Sequence, residues 1–254
     1  MSTPYNPVTK DGEASSELER SLRRSRRLNV VLAAVAFFLL VVVISQQIGR
    51  PSVQVAEESV KPTASASGGT LAAKVARNQA NDPMAWGDPN APVLMVQWTD
   101  FRCPFCAAFS KETLPTLFAQ YIQTGKVRFE VHDAALFGDQ SVDAAVAARA
   151  AGAQGKYHEY MTAVYAAAPA GGHPDLPKDK LVAFAKQAGV PDVATFTAAL
   201  NDAALRKQVT DATSAAQQLG VNSVPFFVIG DKVVSGAQPL ANFQAAIDAA
   251  LTGK

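Results

Sequence analysis

The longest apolar run in the chain is LNVVLAAVAFFLLVVVIS, residues 28–45, and it carries no charge. As a helix it would rise about 27 Å, close to the ~30 Å hydrocarbon core of a bilayer. Gln46, Gln47 and Ile48 can carry it into the interface, so the pattern predicts one membrane-spanning signal anchor over residues 28–48. Arg20, Arg23, Arg24, Arg26 and Arg27 precede it. By the positive-inside rule they keep the N-terminus cytoplasmic and send the rest of the chain outside. A cleaved signal peptide is the alternative, but its apolar region is ordinarily shorter and a small-residue cleavage site follows closely. Here ISQQIGR follows. Residues 1–27 are polar with mixed charge and read as a disordered tail. Residues 49–80, with KPTASASGGT, read as a flexible stalk holding a short helix near Leu71–Arg77.

A different pattern begins at about residue 81 and runs to 254. APVLMVQW, residues 91–98, is nearly continuously apolar, as a strand buried on both faces would be. A helix is predicted to start at Cys103, because Pro104 is tolerated in a first turn. Its apolar face is Leu114, Leu117, Phe118 and Tyr121, with a kink expected at Pro115. KVRFEVHD, residues 126–133, alternates and predicts a second strand, parallel to the first because a long crossover joins them. Between about 140 and 219 only helical stripes appear. The first is Val142, Ala145, Val146 and Ala150, with Arg149 beside it free to face solvent. The second is Tyr157, Met161, Val164 and Tyr165, and the third Leu181, Phe184, Ala185 and Ala188. A short helix over 194–200 and a longer stripe from Leu205 to Leu219 complete the block. PFFVI, Gly230-Asp231 and KVVSG then predict a type II′ hairpin, and Phe243, Ala246, Ile247 and Ala250 a closing helix. The fold class is α/β, ordered β-α-β, helical block, β-β-α, with no internal repeat.

Composition adds exclusions. Formal net charge is +1, which argues against a nucleic-acid partner. Cys103 and Cys106 are the only cysteines, so this is no disulfide scaffold. Three uses of the pair are open. A structural zinc site wants four ligands, and His132, His158 and His173 show no paired metal spacing. A static bridge would close a tiny loop and add little stability. A redox reagent fits best: a helix N-terminus stabilises a thiolate, and the thiolate is the reactive species. Cys103, at the helix start, should be the more exposed. Cys106, one turn in, is placed to attack a mixed disulfide on Cys103.

WGDPNAPVLMVQWTDFRCPFC, 86–106, and GVNSVPFFVIGDKVVSG, 220–236, resemble the DsbA-like branch of the thioredoxin superfamily. The likeness covers about residues 81–252, and the helical block at 140–219 matches that branch's insertion. It implies a thioredoxin-like fold, which the apolar run places behind a single transmembrane helix, a redox-active disulfide between Cys103 and Cys106, and a cis peptide at Val224–Pro225 where substrate binds. It implies no cofactor and no metal. One departure is Gln97, which stands where many relatives carry a buried acid, six residues before the first cysteine.

The expected function is that of a membrane-tethered, extracytoplasmic thiol:disulfide oxidoreductase acting on exported proteins with reduced cysteines. A quinone-linked membrane protein is the expected redox partner. A reductase or isomerase of the same fold, and a non-catalytic module that binds envelope peptides, are the alternatives.

Overall fold

The computed structural model describes residues 69–253. The expected tail, the expected anchor over 28–48 and the stalk as far as residue 68 lie outside the described residues. Among the described residues no helix is long and apolar enough to cross a membrane.

A five-stranded sheet organises the domain, in the order β1-β3-β2-β4-β5. Its centre is β2 (Val93–Thr99), buried on both faces apart from a half-covered Leu94. That burial is what its unbroken apolar run predicts. Strand β3 (Val127–Asp133) runs parallel to β2, from Val93 opposite Val127 to Thr99 opposite Asp133. Strands β4 (Phe226–Ile229) and β5 (Lys232–Ser235) form the predicted hairpin, and β4 pairs antiparallel with β2. Gly230 has φ +55° whereas Asp231 is not left-handed, the pattern a II′ turn requires. Strand β1 (Ala85–Trp86) adds an antiparallel edge to β3 that periodicity did not foresee, since two residues show no period.

Short helix α1 (Leu71–Val75) precedes the sheet. It corrects the expected boundary: residues 69–80 are part of the fold, not of the stalk. Ala72 is fully buried. The N–H of Leu71 donates to Asp231 Oδ1 at 2.7 Å, and that of Ala72 to the Gly230 carbonyl at 2.8 Å. Further on, the N–H groups of Arg77 and Asn78 donate to the two carboxylate oxygens of Glu130 at 2.8 and 3.0 Å.

The β2–β3 crossover starts as α2 (Pro104–Ala108) and continues as a π segment, Phe109–Thr113. Helix α3 (Leu114–Leu117) and a second π segment, Phe118–Ile122, follow. The disturbance expected at Pro115 takes this form. Leu114 N–H already reaches back five residues to Phe109 O, so the ladder has widened just before the proline that has no N–H to give.

The helical block comprises α4 (Asp139–Gly152), α5 (Tyr157–Ala166), α6 (Lys178–Gln187), α7 (Val193–Ala199) and α8 (Ala203–Gln218). Helix α9 (Leu240–Leu251) closes the chain. Its Phe243 meets Phe109 of the crossover and Phe227 of β4, with ring centroids 5.1 and 4.9 Å apart. Two sequence expectations are corrected here. Arg149 does not face solvent freely: its Nε donates to buried Asp133 at 2.6 Å. Leu219, read as the last rung of the α8 stripe, is exposed, because the helix has ended at Gln218.

Candidate active site

Strand β2 ends at Thr99, and the turn Asp100-Phe101-Arg102 leads into α2. Cys103 N–H donates to Asp100 O at 3.1 Å and closes this turn. Cys103 is the N-cap of α2, with φ −77° and ψ 120°, and Pro104 follows in the first turn where a missing N–H costs nothing. Its sulfur takes the place of a capping oxygen and accepts the Cys106 N–H at 3.4 Å. Cys106 lies one turn in, fully buried. Both cysteines are free thiols.

The predicted loop closes over the pair. The Val224–Pro225 peptide is cis, and the Cys103 thiol faces the Val224 carbonyl at 3.3 Å. Cys103, Cys106, Val224 and Pro225, distant in sequence, therefore form one cluster. The expectation that Cys103 stands exposed is corrected: it is only 2% exposed, because the Val224–Pro225 loop covers it. The side chain at the surface is Phe105, between the cysteines, at 65%.

The two thiols are driven in opposite directions. The Cys106 thiol, as hydrogen-bond donor, lowers the pKa of Cys103, and the N–H groups of Cys106 and Phe105 add to this against burial and the Asp100 charge. Burial first, and then the neighbouring Cys103 sulfur, push Cys106 well above the ordinary thiol range. The Asp100 N–H and the Thr99 hydroxyl oppose that rise without reversing it. The arrangement favours the thiolate at Cys103 and disfavours it at Cys106.

Sequence reasoning gave Asp100 only a place in a motif, and passed over Thr99 and Tyr165. Burial raises the Asp100 pKa, although its carboxylate accepts from the N–H groups of Arg102, Leu136 and Phe137 and from Ser141. It ties the turn to the start of α4. Arg102 donates to Phe137 O at 2.6 Å and Pro174 O at 2.9 Å, holding two loops beside the cysteines. Towards the end of β2, Gln97 donates to Thr99 Oγ1 at 3.4 Å, and Thr99 Oγ1 lies 2.6 Å from the Tyr165 hydroxyl. The period of two that puts Gln97 and Thr99 on one face of β2 was legible. Tyr165 belongs to α5, and no local signal links it to the cysteines.

One histidine adjoins the site: His173 Nδ1 lies 3.0 Å from the carbonyl of Arg102, the residue before Cys103. His132 packs on Trp98, His158 on Phe118 and Trp86, and His173 on Phe137. Among the described residues no group of three or more His, Cys, Asp or Glu could hold a metal ion.

A family model described as Thioredoxin matches residues 79–249. Among curated proteins, the chain is 28% identical over 143 residues to the probable disulfide bond formation protein D of Bacillus cereus, covering 55% of this chain and 66% of that one. It is also 28% identical over 167 residues to the Na(+)/H(+) antiporter NhaA 1 of Mycobacterium sp.. That match takes in 64% of this chain but only 26% of the antiporter's length. Among solved structures, oxidised BdbD from Bacillus subtilis superposes with a TM-score of 0.64 at 20% identity, over 69% of this chain and 96% of that one. The match of the Thioredoxin model to most of the described residues shows that the chain belongs to the thioredoxin family, and the superposition on oxidised BdbD shows its fold.

Proposed function

We propose that this chain is a membrane-tethered oxidant of cysteine pairs in exported proteins, working outside the cytoplasm. Cys103 is the nucleophile and Cys106 the resolving sulfur. One observation carries the reading: Cys103 caps a helix N-terminus with its pKa lowered, while fully buried Cys106 has its pKa raised. Stabilising a thiolate stabilises the reduced pair, and that makes the disulfide form the stronger oxidant.

In the forward reaction a substrate thiolate attacks Cys103 of the enzyme disulfide and releases Cys106. A second substrate thiolate then displaces Cys103 and completes the substrate disulfide. Cys103 leaves readily because it is the low-pKa sulfur. An extended substrate segment lying along Val224 would bring its sulfur beside Cys103, whose thiol faces the Val224 carbonyl at 3.3 Å. Turnover requires an electron acceptor, and a quinone-linked membrane protein is the partner proposed. The membrane tether rests on the uncharged run at 28–48 and the arginines before it.

The full-length oxidised protein should convert a reduced two-cysteine peptide to its disulfide, and Cys103→Ser should abolish this. Cys106→Ala should accumulate mixed disulfides through Cys103 on exported proteins. Undiminished oxidation by Cys103→Ser would end the reading. A Cys103–Cys106 pair more reducing than glutathione would convert the proposal to a reductase. In cells stripped of their wall, external protease should remove the domain and spare an N-terminal tag. Protection of the domain would overturn the orientation.

A further inference from the structure

The turn between β2 and Cys103 is gripped by one buried residue, Asp100. Its Oδ1 accepts the Arg102 N–H at 2.7 Å and the Ser141 hydroxyl at 2.9 Å. Its Oδ2 accepts the Leu136 and Phe137 N–H groups at 2.7 and 3.2 Å. Its backbone carbonyl accepts the Cys103 N–H at 3.1 Å and the Tyr165 hydroxyl at 3.2 Å.

An ionised carboxylate offers about four lone-pair sites and no proton. Here four donors use them, and all four are uncharged. Three are backbone N–H groups, which cannot rotate into acceptors. A protonated carboxyl or an amide would turn a hydrogen on one of them, so the geometry suits an anion. The donors come from the turn itself, from the loop after β3 and from α4. Asp100 therefore fixes the Cys103 backbone against the start of the helical block. Burial nevertheless raises its pKa, so keeping it ionised costs the folded state stability. A charge kept beside the nucleophile against that cost points to work at the site.

We infer that the Asp100 carboxylate is a positioning residue for the nucleophile, anchoring the turn that aims Cys103 and laying a fixed negative charge beside it. The inference rests on the redox reading above and deepens it. The two effects oppose each other. The anchor holds the Cys103 sulfur where an incoming substrate sulfur can meet it. The charge works against the Cys103 thiolate and so moderates the oxidising strength that the helix start confers.

The titratable and charged groups around Asp100 come from four places. Cys103 stands at the start of α2, with Cys106 one turn further in. Tyr165 comes from α5. Arg102 belongs to the turn itself, but its guanidinium is turned to the Phe137 and Pro174 carbonyls. Beyond it lie His173, at the Arg102 carbonyl, and exposed Asp175, 4.0 Å from the guanidinium. Helix α4 and the loop after β3 present the neutral donors.

The test uses the full-length chain and two readouts. One is iodoacetamide alkylation of reduced Cys103 against pH. The other is stopped-flow oxidation of a reduced two-cysteine peptide by the disulfide form. Asp100→Asn keeps the shape and removes the charge. Its oxygen can serve Leu136 and Phe137, and Ser141 can turn to accept from its amide. The Arg102 N–H then faces a donor, so the turn loosens at the Cys103 side. Peptide oxidation should slow by about tenfold or more, as for a misplaced reacting atom. The alkylation midpoint should fall, because the negative charge is gone. A merely loosened fold would instead move the midpoint up, toward that of a free thiol. Ser141→Ala leaves the carboxylate and three donors, so it should move both readouts less. An Asp100→Asn protein with an unchanged rate, or with a midpoint that does not fall, overturns the inference. So does a Ser141→Ala protein that reproduces both changes. If Asp100→Asn does not fold, the carboxyl carbon NMR signal of Asp100 in the reduced wild type decides. It should show an inflection at the pH of the Cys103 alkylation midpoint, and a signal without one overturns the inference. A wild type that does not oxidise the peptide overturns the redox reading itself, and this inference with it.

Discussion

At the scale of single residues, the site works by giving two chemically identical side chains different surroundings. Cys103 receives donors at a helix start, and Cys106 receives burial and a sulfur neighbour. Iodoacetamide should therefore react with reduced Cys103 with a pH midpoint below the free-thiol value of about 8.5. Cys106 should stay inert under native conditions. A Cys103 midpoint at or above the free value would remove the basis for a strong oxidant. Cys103 is buried, so absolute alkylation rates should be slow even where the midpoint is low. Gln97→Glu is expected to leave the first attack at Cys103 largely intact and to slow the step that needs Cys106 as thiolate. The new acid would be buried without a cation, so its folded pKa should lie above its unfolded one. Stability then holds below the unfolded pKa and is lost as pH rises through the folded one. Urea titrations between pH 4 and 8 would show this as a variant that falls progressively behind wild type as pH rises.

At the scale of elements, β3 is the strand whose reading changed most. Its alternation was legible, but both of its faces are covered, so Arg128, Glu130 and Asp133 are buried ions. Burial alone would raise the Glu130 pKa. His132, the Arg77 N–H and Arg128 outweigh it and bring the value to about 2. A group depressed in the folded state stabilises above its unfolded pKa, near 4.5, and that stability is lost as pH falls toward 2. The displacement is worth roughly 3 kcal/mol. Asp100, whose pKa burial raises, acts in the opposite sense. Wild type should therefore lose stability steeply between pH 4.5 and 2, and Glu130→Gln should be weaker at pH 7 with a flatter acid limb. Equal slopes for the two proteins would exclude Glu130 as the source. The sequence made β2, β4 and the main helices legible because each buries a continuous run or a regular stripe, and the largely exposed β5 through the Gly230-Asp231 turn before it. It could not reveal β1, which is too short to show a period, or the partners of Arg149 and Tyr165, which come from tertiary approach. The cysteine site was legible because its chemistry is concentrated in one tetrapeptide. Its covering by Val224–Pro225 came only from resemblance, and the resulting burial of Cys103 from neither.

At the scale of the molecule, the N-terminal boundary decides what a stable folded unit contains. The reading by composition placed it at 81, because KPTASASGGT lowers the apolar content before it. The segment 69–80 nevertheless crosses the sheet. It buries Ala72 and contacts the Gly230–Asp231 turn, at the end of β4 away from Pro225, before reaching Glu130 on β3. Its contact with the turn is at the end of the sheet opposite the cysteines, and its contacts with Glu130 and Val131 are at mid-sheet, opposite Val96 and Gln97. Deleting it would strip Glu130 of two N–H donors and of the Arg77 charge, leaving a fully buried carboxylate with Arg128 and His132. Removing partners from a buried ion costs about 3–5 kcal/mol, a large part of a typical domain's 5–15. A chain starting at residue 69 should therefore unfold in urea at the midpoint of the full-length protein's outer domain. One starting at residue 81 should unfold at a clearly lower midpoint, with a further loss at neutral pH that acid partly relieves as Glu130 is protonated. Cys103 should keep its low alkylation midpoint in whatever fraction of that shortened chain remains folded, because its donors and cover come from α2 and the Val224–Pro225 loop, not from residues 69–80. Equal midpoints for the two chains would return residues 69–80 to the stalk.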